Sequence, residues 1–426
     1  MTTRINPFVE LANNQLHNPR SFDGLEFLPQ LRGRRQSELY KEMAENDALI
    51  GAILFAIDML LRRVGWRVNP ARSEDGQASK KDLERADFLN TCILDMSASF
   101  EATISDVLTM LPYGFSFMET VYKVRQSSDI KASADKRSRY PDGKIGWRKF
   151  SLVPAETIED WELDEHGGVQ AAIQNAGWGF NRVKIPIEKA LLFRTSQRSP
   201  KGVSVLRRVV ESWYYRKRIR EIEAIGIERD LAGLPVFHVD VDTLENATRA
   251  DEYKKIVRNL RRGEQEGVLL PGIIDDAGEL KETAKLQLLS SAGQRQFDTT
   301  EIIARYSREI AVSLLQDIVL LGHEKVGTQA LAVEKRDLSD TALQAWLNDI
   351  AGVFNTHAIP RLFALNGEPL DNLPQLVPGE LRPIDIKEFS TALKDAASSG
   401  FLFGEDEQVE AEVRRRLGLP ERATEG

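Results

Sequence analysis

Cysteine is almost absent from this chain: Cys92 stands alone among 426 residues. No intramolecular disulfide framework is available, and such usage fits a reducing compartment. Histidine is scarce as well. The five present (His17, His166, His238, His323, His357) are dispersed, and His323-Glu324 lacks the second histidine that a zinc-binding helix needs. No run reaches the roughly 18 to 20 apolar residues that span a bilayer; the longest apolar stretch, Ala48 to Leu61, is interrupted by Gly51 and Asp58. The N-terminus carries no apolar segment of signal-peptide type. There is no Gly-x-Ser-x-Gly elbow and no Cys-x-x-Cys pair. The stretch Gly322-His323-Glu324-Lys325-Val326-Gly327-Thr328 has two glycines but no lysine after the second, and a helix precedes it, so it does not fit a phosphate-binding loop. Asp240-Val241-Asp242 reads as a strand exit with solvated acids. These absences leave no catalytic constellation, no cofactor site and no membrane span in view. They place the chain in the cytosol or in a particle built there.

What remains is ample for two or three domains. The apolar fraction of 42% supports real cores, and the net charge of −8 argues against a basic protein that grips nucleic acid over its whole surface. Charge is nevertheless concentrated locally. Between Arg198 and Arg220 eight bases face a single acid, Glu211; the next ten residues reverse the sign, with Glu221, Glu223, Glu228 and Asp230 against Arg229. Trp213, Tyr214 and Tyr215 lie between the two ends. A charged helix of this kind, from Val203 to about Leu231 and cut off by Gly233-Leu234-Pro235, reads as one wall of an assembly, its basic half set against a neighbour's acidic half.

The periodicity orders the rest. Residues 1–36 are polar and read as an extended arm. Helical spacing follows from Ser37, restarts at Asn46-Asp47, and recurs over about Lys80 to Leu94 and Phe100 to Leu111. From Ser116 to Arg194 the period changes to two, with strands at Phe117–Val124, Ile145–Leu152, Thr157–Leu163, Val169–Gln174 and Ala190–Arg194. A charged loop, Ser127 to Asp142, interrupts them. After the long helix, short strands at Val236–Val241, Val268–Leu270 and Ala284–Leu288 surround an amphipathic helix, Asn246 to Arg262, in a small α/β unit. A second long helix, Phe297 to Leu321, carries Ile303, Tyr306, Ile310, Leu314, Ile318 and Leu321 on one stripe and Glu301, Arg305, Arg308 and Gln316 opposite. Two long helices flanking a small unit should run antiparallel, each spanning roughly 40 Å. A loop from Gly322 to Ser339, a helix from Asp340 to Ala358 ended or kinked by Pro360, and a Pro-rich linker complete the chain.

Several segments resemble the portal proteins of tailed double-stranded DNA bacteriophages. The most specific are Ile185-Pro186-Ile187-Glu188-Lys189-Ala190-Leu191-Leu192-Phe193 and Pro200-Lys201-Gly202-Val203-Ser204-Val205-Leu206-Arg207. Trp213 to Lys217, Glu228 to Val236, Tyr113 to Glu119 and Gly327 to Ala332 agree as well. The resemblance covers roughly residues 37 to 420. It implies an α+β, portal-like fold: a helical and β wing (37–202 and 340–377), two stem helices (203–232 and 297–321), a clip (233–296), a tunnel loop (322–339) and a short helical crown (378–426). It further implies a non-enzymatic ring, usually of twelve subunits, in the virion at one capsid vertex and assembled in the host cytoplasm. Duplex DNA would pass through it, and the major capsid protein, the terminase large subunit and a head–tail adaptor would contact it.

On that basis Lys325, Lys335, Arg336, Arg305 and Arg308 are candidate channel residues, making weak, salt-sensitive phosphate contacts. Lys254, Lys255, Arg258, Arg261 and Arg262 are candidate clip residues for terminase and adaptors. Arg207, Arg208, Trp213, Arg216, Arg218, Glu221 and Glu228 are candidates for the subunit interface. Two readings compete. A helical adaptor or scaffold would bind proteins without touching DNA; a metal-dependent DNA-processing enzyme would need a carboxylate cluster that the sequence does not offer.

Overall fold

The computed structural model describes Glu26 and residues 28–71, 78–126, 137–164, 168–175, 182–197, 199–232, 234–239, 245, 247–261, 272–274, 280–282, 284–289, 298–314, 329–381 and 394. The chain divides into two compact units, one of Met1–Arg207 with Leu314–Gly426, the other of Arg208–Ser313.

The first unit opens with α1 (Arg34–Asn46) and α2 (Ala48–Arg62), separated at Asp47, whose carboxylate accepts from the Leu49 and Ile50 amides and so caps α2. Helix α1 starts three residues ahead of the expected Ser37, after Gly33 at φ 62°. Strand β1 (Trp66–Asn69) follows, then α3 (Lys80–Leu94), which begins with a reciprocal Ser79–Asp82 capping box, and α4 (Phe100–Val107). Six strands come next: β2 (Phe115–Val124), β3 (Ile145–Val153), β4 (Ile158–Leu163), β5 (Val169–Asn175), β6 (Arg182–Pro186) and β7 (Ala190–Arg194). They form two antiparallel three-stranded sheets, ordered β3-β2-β7 and β4-β5-β6. Their inward side chains build one core, in which Trp161 meets Phe115 and Phe117 edge-on at 5.3 and 5.6 Å.

The second unit contains α5 (Val210–Ala232), which continues a short 3₁₀ turn at Val205–Val209. Then come β8 (Leu234–Val239), α6 (Ala247–Arg261), β9 (Gly272–Ile274), β10 (Leu280–Glu282), β11 (Ala284–Leu289) and α7 (Thr299–Ser313). Strand β8 pairs antiparallel with β11, and β9 with β10. The expected strand at Val268–Leu270 lies outside the described residues, as do Ile318 and Leu321 of the expected second helix.

The chain returns to the first unit through α8 (Gln329–Val353), a π turn at Phe354–Ala358, α9 (Ile359–Leu365) and β12 (Gln375–Pro378), which pairs with β1. Two expectations need correction here. The segment 322–339 is not a loop throughout, because α8 already begins at Gln329; Gln329 to Lys335 (QALAVEK) is rich in good helix formers, which outweighs the preceding glycines. The interruption expected at Pro360 sits just before it. Proline has no amide to donate and crowds the carbonyl four residues back, and the π turn takes up that mismatch without ending the helix. Strand β12 falls in what read as linker. The expected crown lies almost wholly outside the described residues.

Candidate functional site

Two glycine-bearing motifs that lie far apart in sequence meet where the chain leaves the β-region. Gly114 (φ 92°) and Gly202 (φ 57°) pack backbone to backbone: a Cβ on Gly202 would fall 2.1 Å from the Gly114 carbonyl oxygen, and one on Gly114 would fall 2.4 Å from that of Lys201. Only glycine fits either place. The Thr195 amide donates to the Gly114 carbonyl at 3.0 Å, and the Thr195 hydroxyl donates to the Val203 carbonyl at 2.6 Å. The Val203 amide donates to the Thr195 hydroxyl at 3.0 Å, and the Leu206 amide to the Ser204 hydroxyl at 3.0 Å. This junction sets the path of the chain toward Arg207.

Arg207 completes it. Its Nε and Nη2 donate to the two Glu26 carboxylate oxygens at 2.9 and 2.7 Å, while the Glu26 carbonyl accepts from Arg32 Nε at 2.9 Å. The hydrogen bond to Glu26 holds Arg207 above its ordinary value. The end of the expected extended arm is therefore folded, with a 3₁₀ turn at Pro29–Leu31 and Leu31 buried.

Helices α5 and α7 form an antiparallel hairpin. Ser212 donates to Glu309 (2.9 Å), Arg216 Nη1 to Ser307 Oγ (3.1 Å) and Thr299 to Glu223 (2.5 Å), and Tyr215 stacks on Tyr306 with centroids 6.1 Å apart. Each step forward along α5 is thus matched by a step back along α7. Of the expected apolar stripe, Ile303 and Tyr306 are half-buried and Ile310 and Leu314 are buried.

Charge is segregated along this hairpin. At one level, Val210–Arg220 with Ile302–Ser313, the exposed bases Lys217, Arg218, Arg220, Arg305 and Arg308 outnumber Glu211 and Glu309. At the other, acids dominate: Glu221, Glu223, Asp298 and Glu301 with no described base among them.

The interface candidates separate accordingly. Arg207, Trp213 and Arg216 each make contacts within the chain: Arg207 binds Glu26, Trp213 is buried beneath Lys217 (5.2 Å from Nζ to centroid), and Arg216 is 3% exposed against Ser307. Charge alone could not reveal this, since helical position decides which bases face inward. Arg208, Arg218 and Glu221 are exposed, the last two paired at 3.1 Å; the Glu228 side chain is outside the described set.

Arg305 and Arg308 are exposed on α7, with Arg305 over the Tyr306 ring at 4.9 Å. Lys335 and Arg336 lie on α8, with side chains outside the described set, as is all of Lys325. Lys254, paired with Asp251 at 3.3 Å, and Lys255 are exposed on α6. Arg258 and Arg261 share that helix, with side chains outside the described set, and Arg262 falls wholly outside it.

Sequence reasoning singled out Tyr214 and Tyr215 beside Trp213 but missed that they continue into an apolar face of the hairpin. Tyr214, Tyr215, Ile222 and Ile225 are 54%, 46%, 56% and 47% exposed. Among the described residues no group of three or more His, Cys, Asp or Glu side chains could hold a metal ion, and no helix is long and apolar enough to cross a membrane.

Residues 37–419 match the sequence pattern of the family described as the portal protein of Mu bacteriophage. The chain belongs to this portal family. Its fold is also similar to that of a chain in the virion of the native gene transfer agent particle, with a TM-score of 0.51 and 11% identity over 90% of this chain and 93% of that one. A chain from the neck of the empty gene transfer agent particle, computed with C6 symmetry, gives the same TM-score and identity over 90% of this chain and 94% of its own. At such identity the likeness is one of fold, a mixed helix and sheet architecture.

Proposed function

We propose that this chain is a portal subunit: it closes into a ring at one vertex of the capsid, in the virion, and serves as a conduit for DNA packaging and ejection. Membership of the portal family over residues 37–419 carries the reading. The antiparallel hairpin of α5 and α7, which flanks a small α/β unit, supports it by supplying a stem and a clip. The subunit number is one compatible with the C6 symmetry of the related neck, and twelve is the value the family resemblance implies.

Within this reading the first unit supplies the wing, and the residues from 378 onward form the crown. The bases of α6 offer a docking surface for the terminase large subunit and for head–tail adaptors, and the wing meets the major capsid protein. A net charge of −8 per subunit suits a sliding duplex, because a lumen with few bases makes only transient phosphate contacts, from Arg305, Arg308, Lys325, Lys335 and Arg336. Negative-stain imaging of the purified full chain tests the ring. Closed rings with a central channel are expected; monomers or dimers at every concentration would favour a helical adaptor instead.

A further inference from the structure

Among the described residues, the hairpin shows an apolar surface that its own unit leaves exposed. Tyr214, Ile222 and Ile225 follow one another at positions i, i+8 and i+11, so they share one side of α5. Tyr215 borders them at the seam with α7, touching Tyr214 edge-on at 5.6 Å and stacking on Tyr306. A helix with a solvated face does not need such a stripe; apolar contacts of this kind, rich in tyrosine, mark protein contacts.

The occupant follows from symmetry, on the ring reading proposed above. Neighbouring subunits in a ring are related by a small rotation, so their hairpins stand the same way up. The basic level of one hairpin then lies beside the basic level of the next, and acidic beside acidic. Charge opposes that lateral contact, and an attraction of another kind has to outweigh it.

We propose that the stripe Tyr214, Tyr215, Ile222 and Ile225 is the face on which the hairpin of the adjacent copy packs, and that it closes the ring against like-charge repulsion. Ring formation then strengthens as salt rises, the opposite of what complementary charge pairing between neighbours would give. The four half-open side chains offer on the order of 400 Å² on one partner, about half of the roughly 800 Å² that each partner buries in a stable pairwise interface. The contact therefore persists where closure gives every subunit two such neighbours, and isolated dimers are rare.

Mass photometry of the full chain at low, physiological and about 0.5 M salt tests this. The ring fraction of the unmodified chain is expected to rise several-fold with salt. The double variant Ile222→Ser/Ile225→Ser is expected to lose rings at least tenfold with an unchanged circular dichroism spectrum. As a second measurement, the introduced thiol of Ile222→Cys should react with maleimide in the monomer and be protected in the ring. The background is silent because Cys92 is buried, its thiol pushed by burial up to about 11. Ring yield that falls with salt, rings that ignore the double substitution, or equal labelling in ring and monomer would each overturn the stripe while leaving the ring reading intact. Absence of rings from the unmodified chain at every salt concentration would overturn the ring reading itself.

Discussion

Arg216 and Arg218 sit two positions apart on α5 in different surroundings. The Arg216 guanidinium is buried against Ser307 on α7, whereas Arg218 is solvated and paired with Glu221. Arg216→Ala should therefore lower stability by about 1–3 kcal/mol, through lost packing and a lost buried hydrogen bond. Arg218→Ala should change it by less than about 0.5 kcal/mol. Denaturant titration followed by circular dichroism separates the two; equal effects would contradict the placement. Asp95 gives a pH signature. Desolvation pushes its carboxyl up, but the Arg139 amide, the Ser138 hydroxyl and the Lys123 ammonium outweigh this and hold it below the ordinary value. A depressed carboxylate contributes stability above its unfolded pKa, near 3.9 for aspartate, and that contribution is lost as pH falls through the folded value. Acid unfolding scans should show this loss below about pH 4. Asp95→Asn should flatten it and, by leaving Lys123 buried without its counter-charge, cost about 3 kcal/mol at neutral pH. Neither environment was legible from sequence: a list of charges gives sign and spacing, while the direction of each side chain depends on what packs beside it.

The elements were far more legible. Five strands between Phe115 and Arg194 lie within two residues of the expected runs, although Ala190–Arg194 is buried at four consecutive positions rather than alternating, and Asp47 marks a helix boundary because its carboxylate caps the next helix. The antiparallel course of α5 and α7 follows from two long helices that flank one small unit. Pairing was less accessible. Strand β2 lies between β3 and β7, and β1 joins β12 from the other end of the chain, through hydrogen bonds that no local pattern encodes. The side chain of Asn355 holds β12, its Nδ2 donating to the Leu376 carbonyl at 2.9 Å while its Oδ1 accepts from the Leu376 amide at 2.8 Å. The glycine crossing offers the sharpest test at this scale. Gly202→Ala forces a methyl to within 2.1 Å of the Gly114 carbonyl oxygen and should cost upwards of about 3 kcal/mol, read as a fall in melting temperature. Substitution of Gly143, which has a positive φ of 69° but nothing within 4 Å, should cost about 1 kcal/mol, and comparable losses at the two sites would argue against the crossing.

For the whole molecule, the proposed docking surface separates assembly from packaging. Lys254→Glu with Lys255→Glu reverses charge on an exposed face of α6 and should leave rings intact while abolishing DNA packaging, as measured by the nucleic-acid content of purified particles. Normal filling would remove α6 from the docking surface. The hairpin has one more consequence. The Ser212–Glu309 contact brings the two ends of the 208–313 unit together at its base, so that the whole unit leaves and rejoins the chain at one place. A segment with adjoining ends behaves as a cassette: its interior can lengthen, shorten or be exchanged without altering the register of the strands and helices on either side. On the portal reading proposed above, such a subunit would acquire new docking chemistry by replacing the contents of the hairpin, while the glycine pair Gly114–Gly202 and the sheets that carry it stay as they are.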